Sequence, residues 1–157
     1  MTTASPVYTV RIERTRRVSA PIDRVAAVLE DTARAPKWNP MLDTIAPATM
    51  QGQGLHSTLT WEAHVAGVPL SGTTETTVWD SGKSYAWVST ERVTPGSMEG
   101  RFILTPVDAQ HTDLTAILSS DLPPAVVALF HLPGVTQQFE GAVDQALTNI
   151  EGMAATP

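Results

Sequence analysis

Cysteine is absent from the sequence. That single absence excludes disulfides, thiolate nucleophiles, cysteine-ligated zinc and cysteine-bound iron–sulfur clusters. Basic residues are also scarce: 10 Lys and Arg stand against 16 Asp and Glu, a net charge of -6 at pH 7. Release of counterions from neutralised phosphates therefore gives nucleic-acid binding no general support. No apolar window is as long as a membrane span, and Met1 to Pro6 lack a basic segment leading into an apolar one. The expectation is a cytoplasmic protein with neither a nucleic-acid nor a membrane partner. His56, His64, His111 and His131 form no His-x-His or His-x-x-x-His pair and keep no recognised ligand spacing with carboxylates, so no metal is expected. Ser119 and Ser120 lack a Gly-x-Ser-x-Gly setting, and Gly52-Gln53-Gly54 reads as a turn, not a phosphate loop.

What is present suffices for one core. The 157 residues are 42% hydrophobic, and a chain of this size buries roughly 69% of its surface on folding. One domain is expected over residues 7–153, with loose ends at 1–6 and 154–157. From Val7 to Val18, Tyr8, Val10 and Ile12 alternate with Thr9, Arg11 and Glu13, the period of a strand with one buried face. Ser19, Pro21 and Asp23 then supply a cap, a preset φ and an acidic first turn for a helix from about Pro21 to Leu29. Pro36 and Pro40 limit the next segment to a short helical turn and a bend.

Glycine and proline clusters punctuate the strand-like runs that follow. Leu42 to Thr49 is a weak strand, followed by Leu55 to Ala63, Leu70 to Asp80, Ser84 to Arg92, Met98 to Val107 and Thr112 to Ser120, seven strands in all with the first. The period then changes. Phe139, Val143, Ala146, Leu147 and Ile150 recur at three- and four-residue steps, predicting a helix from about Gly134 to Met153 behind a short piece around Pro124 to His131.

Within this order, "Val18-Ser19-Ala20-Pro21-Ile22-Asp23-Arg24-Val25", "Leu29-Glu30-Asp31" and "Trp38-Asn39-Pro40" resemble the opening of the START-like, or SRPBCC, superfamily, which includes polyketide cyclase/dehydrase and lipid-transport proteins. "Gly100-Arg101-Phe102-Ile103-Leu104-Thr105-Pro106" and "Thr112-Asp113-Leu114-Thr115" are similar to its late hairpin. The resemblance implies an α+β helix-grip fold: a seven-stranded curved antiparallel sheet around a long C-terminal helix, with two short helices after the first strand. A sheet curled around one helix leaves a wedge that side chains need not fill, so a ligand cavity between the two is the default expectation.

Candidate residues follow from strand parity. Trp61 shares a face with Ser57, Leu59 and Ala63, opposite Thr58, Thr60, Glu62 and His64, and should point inward. The resemblance places Trp38 near the cavity mouth. Hydrophobicity does not settle the faces of Trp79 and Trp87. Ser57, Thr74 and Thr76 are expected to turn hydroxyls inward. Glu75 is the candidate general acid or base, and Arg101 the candidate partner for a ligand carboxylate or enolate, although parity with Phe102 and Leu104 turns Arg101 outward. Met98, Phe130 and Phe139 complete the expected lining. The basic run Arg14-Thr15-Arg16-Arg17 reads as strand-edge protection, with an acidic carrier protein as the sharper alternative.

Two functional readings remain open. The first is a cofactor-independent enzyme of secondary metabolism, a polyketide cyclase, dehydratase or isomerase, acting on a hydrophobic, oxygen-bearing small molecule. The second is a noncatalytic carrier or sensor of lipid, quinone or a similar apolar ligand, its cavity lined by groups such as Leu59, Val78, Met98, Phe130 and Phe139. A protein-interaction module with a collapsed interior is a third class. As a monomer or a homodimer, the protein would serve any of them.

Overall fold

A computed structural model describes residues 8–47, 54–65, 67–89, 97–122, 128 and 131–155. The described strands are β1 (Tyr8–Val18), β2 (Leu42–Pro47), β3 (Thr58–Val65), β4 (Val68–Asp80), β5 (Ser84–Ser89), β6 (Ser97–Asp108) and β7 (His111–Leu122). They form one seven-stranded sheet in the order β1-β7-β6-β5-β4-β3-β2. Every pairing is antiparallel, and only β1 with β7 joins strands distant in sequence.

Alternation decides which face is covered. On β7, Thr112, Leu114, Ala116 and Ser120 are buried while their neighbours are not, and across the ladder Val18 and Ile12 on β1 face the same side. The helices cover that face: α1 (Ile22–Glu30), a 3₁₀ turn (Thr32–Arg34), α2 (Ala35–Trp38) and α3 (Val135–Ala155). Val25, Ala26, Val28 and Leu29 form the buried stripe of α1. Its N-cap is Pro21, whose carbonyl accepts from the N–H groups of Arg24 and Val25. Ser19, the expected cap, instead turns its backbone N–H to Glu151 on α3 at 2.8 Å. Pro36 does not interrupt the next helix but occupies its first turn, where a missing N–H costs nothing.

Helix α3 buries Phe139, Val143, Ala146, Leu147, Ile150 and Ala154, and packs on α1, α2, β1 and β7. It continues through Ala155, past the expected end at Met153, because Ala154 still has a core contact to keep. The short helical piece expected around Pro124 to His131 lies almost wholly outside the described residues, as do the ends of the strands expected to reach Thr49 and Arg92.

The basic run on β1 has a use that its sequence position concealed. Arg14 and Arg16 share the covered face of the sheet at its edge. Arg14 reaches Glu140 at 3.1 Å and Asp144 at 3.3 Å, and Arg16 reaches Glu151 at 2.8 Å, all three acids on α3. Arg17, on the other face, pairs with Asp113 of β7 at 3.0 Å. Three arginines expected at a bare or carrier-facing edge thus fasten the helix and the neighbouring strand.

Candidate functional site

Because α3 lies against β1 and β7, the half of the curved sheet toward β2 lies under the 3₁₀ turn, α2 and the end of α1, and a cavity of about 190 Å³ remains there. Leu29, Thr32, Ala35, Trp38 and Asn39 form its helical roof, with Phe139 of α3 at one side. Met41, Leu42 and Ile45 close it from β2 and the segment before it. Strand β3 contributes Leu59, Trp61 and Ala63, and β4 contributes Leu70, Thr74, Thr76 and Trp79. Tyr85, Trp87, Met98, Phe102 and Leu118 complete the floor from β5, β6 and β7.

Of the residues singled out in the sequence, Trp38, Leu59, Trp61, Thr76, Trp87, Met98 and Phe139 line this cavity. Ser57 does not. It is 1% exposed, but its hydroxyl donates to the Gly54 carbonyl at 2.8 Å and meets Thr76 Oγ1 at 3.1 Å, so it orders the entrance to β3 and fixes Thr76. Phe130 lies outside the described residues.

Glu75 and Arg101 do not stand with the lining residues. Both stand on the outer face of the sheet, out of phase with the lining residues Thr74 and Thr76 on one strand and Met98 and Phe102 on the other. Glu75 has His56 Nδ1 3.7 Å away, and Arg101 is exposed. Neither reaches the cavity.

Val78 is likewise outside, for a different reason. The β4–β5 register shifts between Thr76 and Val78, and the bulge reverses the parity of everything after it. Trp79 therefore takes the inward position that alternation would have given Val78, and packs edge-on against Tyr85 at 5.1 Å between ring centroids. Tyr85 was missed altogether, although it lies two residues before Trp87 on the same face. Pairing of Trp79 with Tyr85 and of Thr76 with Trp87 places all four on one side.

The polar groups at the wall are few. The Tyr85 hydroxyl donates to Glu30 Oε2 at 2.5 Å and accepts from the Gly82 N–H at 2.9 Å, while Ser81 donates to the same Glu30 oxygen at 2.8 Å. Burial, and then the bond to the Glu30 carboxylate, push the phenol up to about 12. Thr32, Asn39, Thr74 and Thr76 add hydroxyls and an amide. Among the described lining residues there is no carboxylate, imidazole, ammonium or guanidinium. Trp38 and Trp61 are each 8% exposed, and the N–H of each indole is buried with no acceptor among the described residues. No group of three or more metal-ligating side chains occurs among the described residues, and none of their helices is long and apolar enough to cross a membrane.

A seven-stranded antiparallel sheet, a long terminal helix and an apolar hollow, roofed by the short helices with only Phe139 of α3 at its side, agree with what the sequence matches: the family described as polyketide cyclase/dehydrase and lipid transport, over residues 9–153. The chain belongs to that family. No curated protein matches it. Solved structures of the START-like superfamily share the fold at low identity. The Zhui aromatase/cyclase from Streptomyces sp. R1128 is 20% identical, with 94% of each chain covered and a TM-score of 0.76. A protein from Thermus thermophilus has the same TM-score of 0.76 at 18% identity, over 92% of this chain and 97% of that one. A START superfamily protein from Mycobacterium smegmatis gives 0.74 at 16%, over 92% and 96%. Likeness at such identities concerns the fold, and activity must be argued from the site.

Proposed function

We propose that this protein binds a compact, apolar small molecule bearing acceptor oxygens, and holds it as a carrier or sensor does. One observation carries the reading: the cavity wall offers aromatic and aliphatic surface, four hydroxyl or amide side chains and Tyr85, with no charged side chain among the described lining. Apolar walls with a few polar groups are what a neutral ligand needs for burial and orientation. General acid–base chemistry instead calls for titratable groups within hydrogen-bond reach of the reacting atoms. The buried indole N–H groups of Trp38 and Trp61 fit the same reading, because a modest turn of either ring would let a ligand carbonyl supply the acceptor that the protein withholds.

A second reading, a cofactor-independent cyclase, dehydratase or isomerase acting on a polyketide-like substrate, is favoured by the family and by one pair at the wall. Tyr85 and Glu30 together hold a proton between a phenol and a carboxylate beside the cavity. In this reading the Tyr85 phenol, the lining group joined to a carboxylate, supplies the proton.

Native mass spectrometry of freshly purified protein, with identification of retained ligand, tests the first reading. A bound neutral molecule, or stabilisation by quinones, fatty acids or aromatic ketones in a thermal-shift series, is expected. Absence of both would overturn it. Turnover of a retained molecule that stops in Tyr85→Phe with folding intact would move the conclusion to the enzyme.

A further inference from the structure

Trp87 on β5 and Gly100 on β6 are directly paired, and both face the cavity side of the sheet. The indole lies across the glycine. A Cβ built on Gly100 would stand 2.6 Å from Trp87 Cε2 and 2.7 Å from Cη2, and closer still to Cζ2. Gly100 is not among the glycines with positive φ, which are Gly54, Gly67, Gly82 and Gly134, so its backbone does not demand glycine. The space that a Cβ would fill is taken by the Trp87 ring, which lies over the glycine. Phe102, two residues along the same strand face, packs against that ring at 5.6 Å and 42°, and Trp38 meets Phe102 edge-on at 5.7 Å and 77°. An indole lifted off Gly100 is blocked along the sheet by Phe102 and moves toward the cavity.

Resting on the binding reading above, we infer that the Gly100–Trp87 contact sets the depth of the cavity and selects a planar ligand of one or two rings. The volume supports that size class. A cavity of about 150 Å³ holds benzene, and this one is about 190 Å³. A chain folded into three or four rings would extend beyond the hollow toward its mouth. The aromatic floor supplied by Trp87 and Phe102 suits a flat molecule stacked on the ring, and a carbonyl on that molecule answers the orphan indole donors.

The test is isothermal titration of wild type, Gly100→Ala and Trp87→Ala with three ketones of increasing size: acetophenone, 2-acetylnaphthalene and 2-acetylanthracene. Wild type is expected to bind the first two and to discriminate against the third by tenfold or more. Gly100→Ala should lose 2-acetylnaphthalene by at least tenfold while keeping acetophenone. Trp87→Ala should reverse the wild-type discrimination and accept 2-acetylanthracene. Thermal unfolding checks that each variant is folded, and should Gly100→Ala fail to fold, Trp87→Ala alone decides. The same size ranking in wild type and the folded variants overturns the role of this contact and leaves ligand binding standing. No heat or stabilisation with any ketone in any of the proteins overturns the binding reading, and the size inference with it.

Discussion

The Tyr85 hydroxyl donates to Glu30 Oε2 across 2.5 Å, tying the last turn of α1 to the β4–β5 hairpin at the cavity wall. Glu30 also accepts from Ser81, and the Gly82 N–H points at the phenol oxygen, so removing the hydroxyl strands groups on both elements. Tyr85→Phe is expected to destabilise the fold by about 1.5–3 kcal/mol, the range for a hydrogen bond to a charged partner. Urea unfolding at neutral pH measures it.

The same phenol gives an alkaline signature. Its pKa rises from 10.0 to about 12 on folding, so the stability it contributes is complete below 10.0 and is lost as the pH climbs toward 12. Wild type should lose more of its thermal stability than Tyr85→Phe across that interval. The difference between their tyrosinate absorbance titrations should show a midpoint near 12. A midpoint at the ordinary value would mean that the phenol is not held as described.

Glu151 has the opposite sign. Burial alone would raise its carboxyl. Hydrogen bonds from Arg16 and the Ser19 N–H, with the Arg16 charge, outweigh that and hold it below its usual value of 4.5. The stability it confers is present above 4.5 and disappears as the pH falls through the lower, folded value. Glu151→Gln should therefore unfold less steeply with acid than wild type. At pH 7 it should cost only about 1 kcal/mol, because Arg16 is partly exposed and solvent screens the pair. Chemical denaturation at a series of pH values separates these outcomes.

Much of this architecture was legible because two periods dominate the chain. Alternation of Ser57, Leu59, Trp61 and Ala63 turns Trp61 inward, and the three- and four-residue spacing from Phe139 to Ile150 marks the stripe of α3 that is buried. Local irregularity defeated the rest. The bulge after Thr76 exchanges Val78 for Trp79, and nothing in Thr-Thr-Val-Trp announces an extra residue. Arg16 looked like an edge residue because its acid lies 135 positions away on α3. Gly100 carried no signal as a cavity residue, since what it accommodates is an indole on another strand.

Trp61→Phe separates packing from hydrogen bonding. Removing a buried N–H that has no acceptor returns about 1–3 kcal/mol of desolvation, which offsets the packing that the second ring supplied. The ligand-free variant should therefore be nearly as stable as wild type, in contrast to Ile150→Ala in the fully buried core, where about 2–5 kcal/mol is expected. The preference for an aromatic ketone over its hydrocarbon analogue should fall in Trp61→Phe if the indole turns to meet the carbonyl. An unchanged preference, measured by competition titration, would assign that role elsewhere.

Glu75→Ala and Arg101→Ala decide whether charge on the outer face reaches the ligand. Each side chain leaves its strand on the side away from Thr74, Thr76 and Phe102, and the sheet backbone stands between it and the cavity. A neutral ligand has little to gain from a charge across that distance, in the presence of solvent and salt. Affinity for 2-acetylnaphthalene is expected to stay within about twofold of wild type in both variants, since surface charges contribute little to a neutral, desolvated contact. Thr76→Val, one position from Glu75 but on the inner face and joined to Ser57 Oγ at 3.1 Å, should weaken binding of the ketone more than either. If Glu75→Ala or Arg101→Ala weakens binding as much as Thr76→Val does, the assignment of inner and outer faces at this end of the sheet is wrong, and the charge-free cavity on which the binding reading stands is wrong with it.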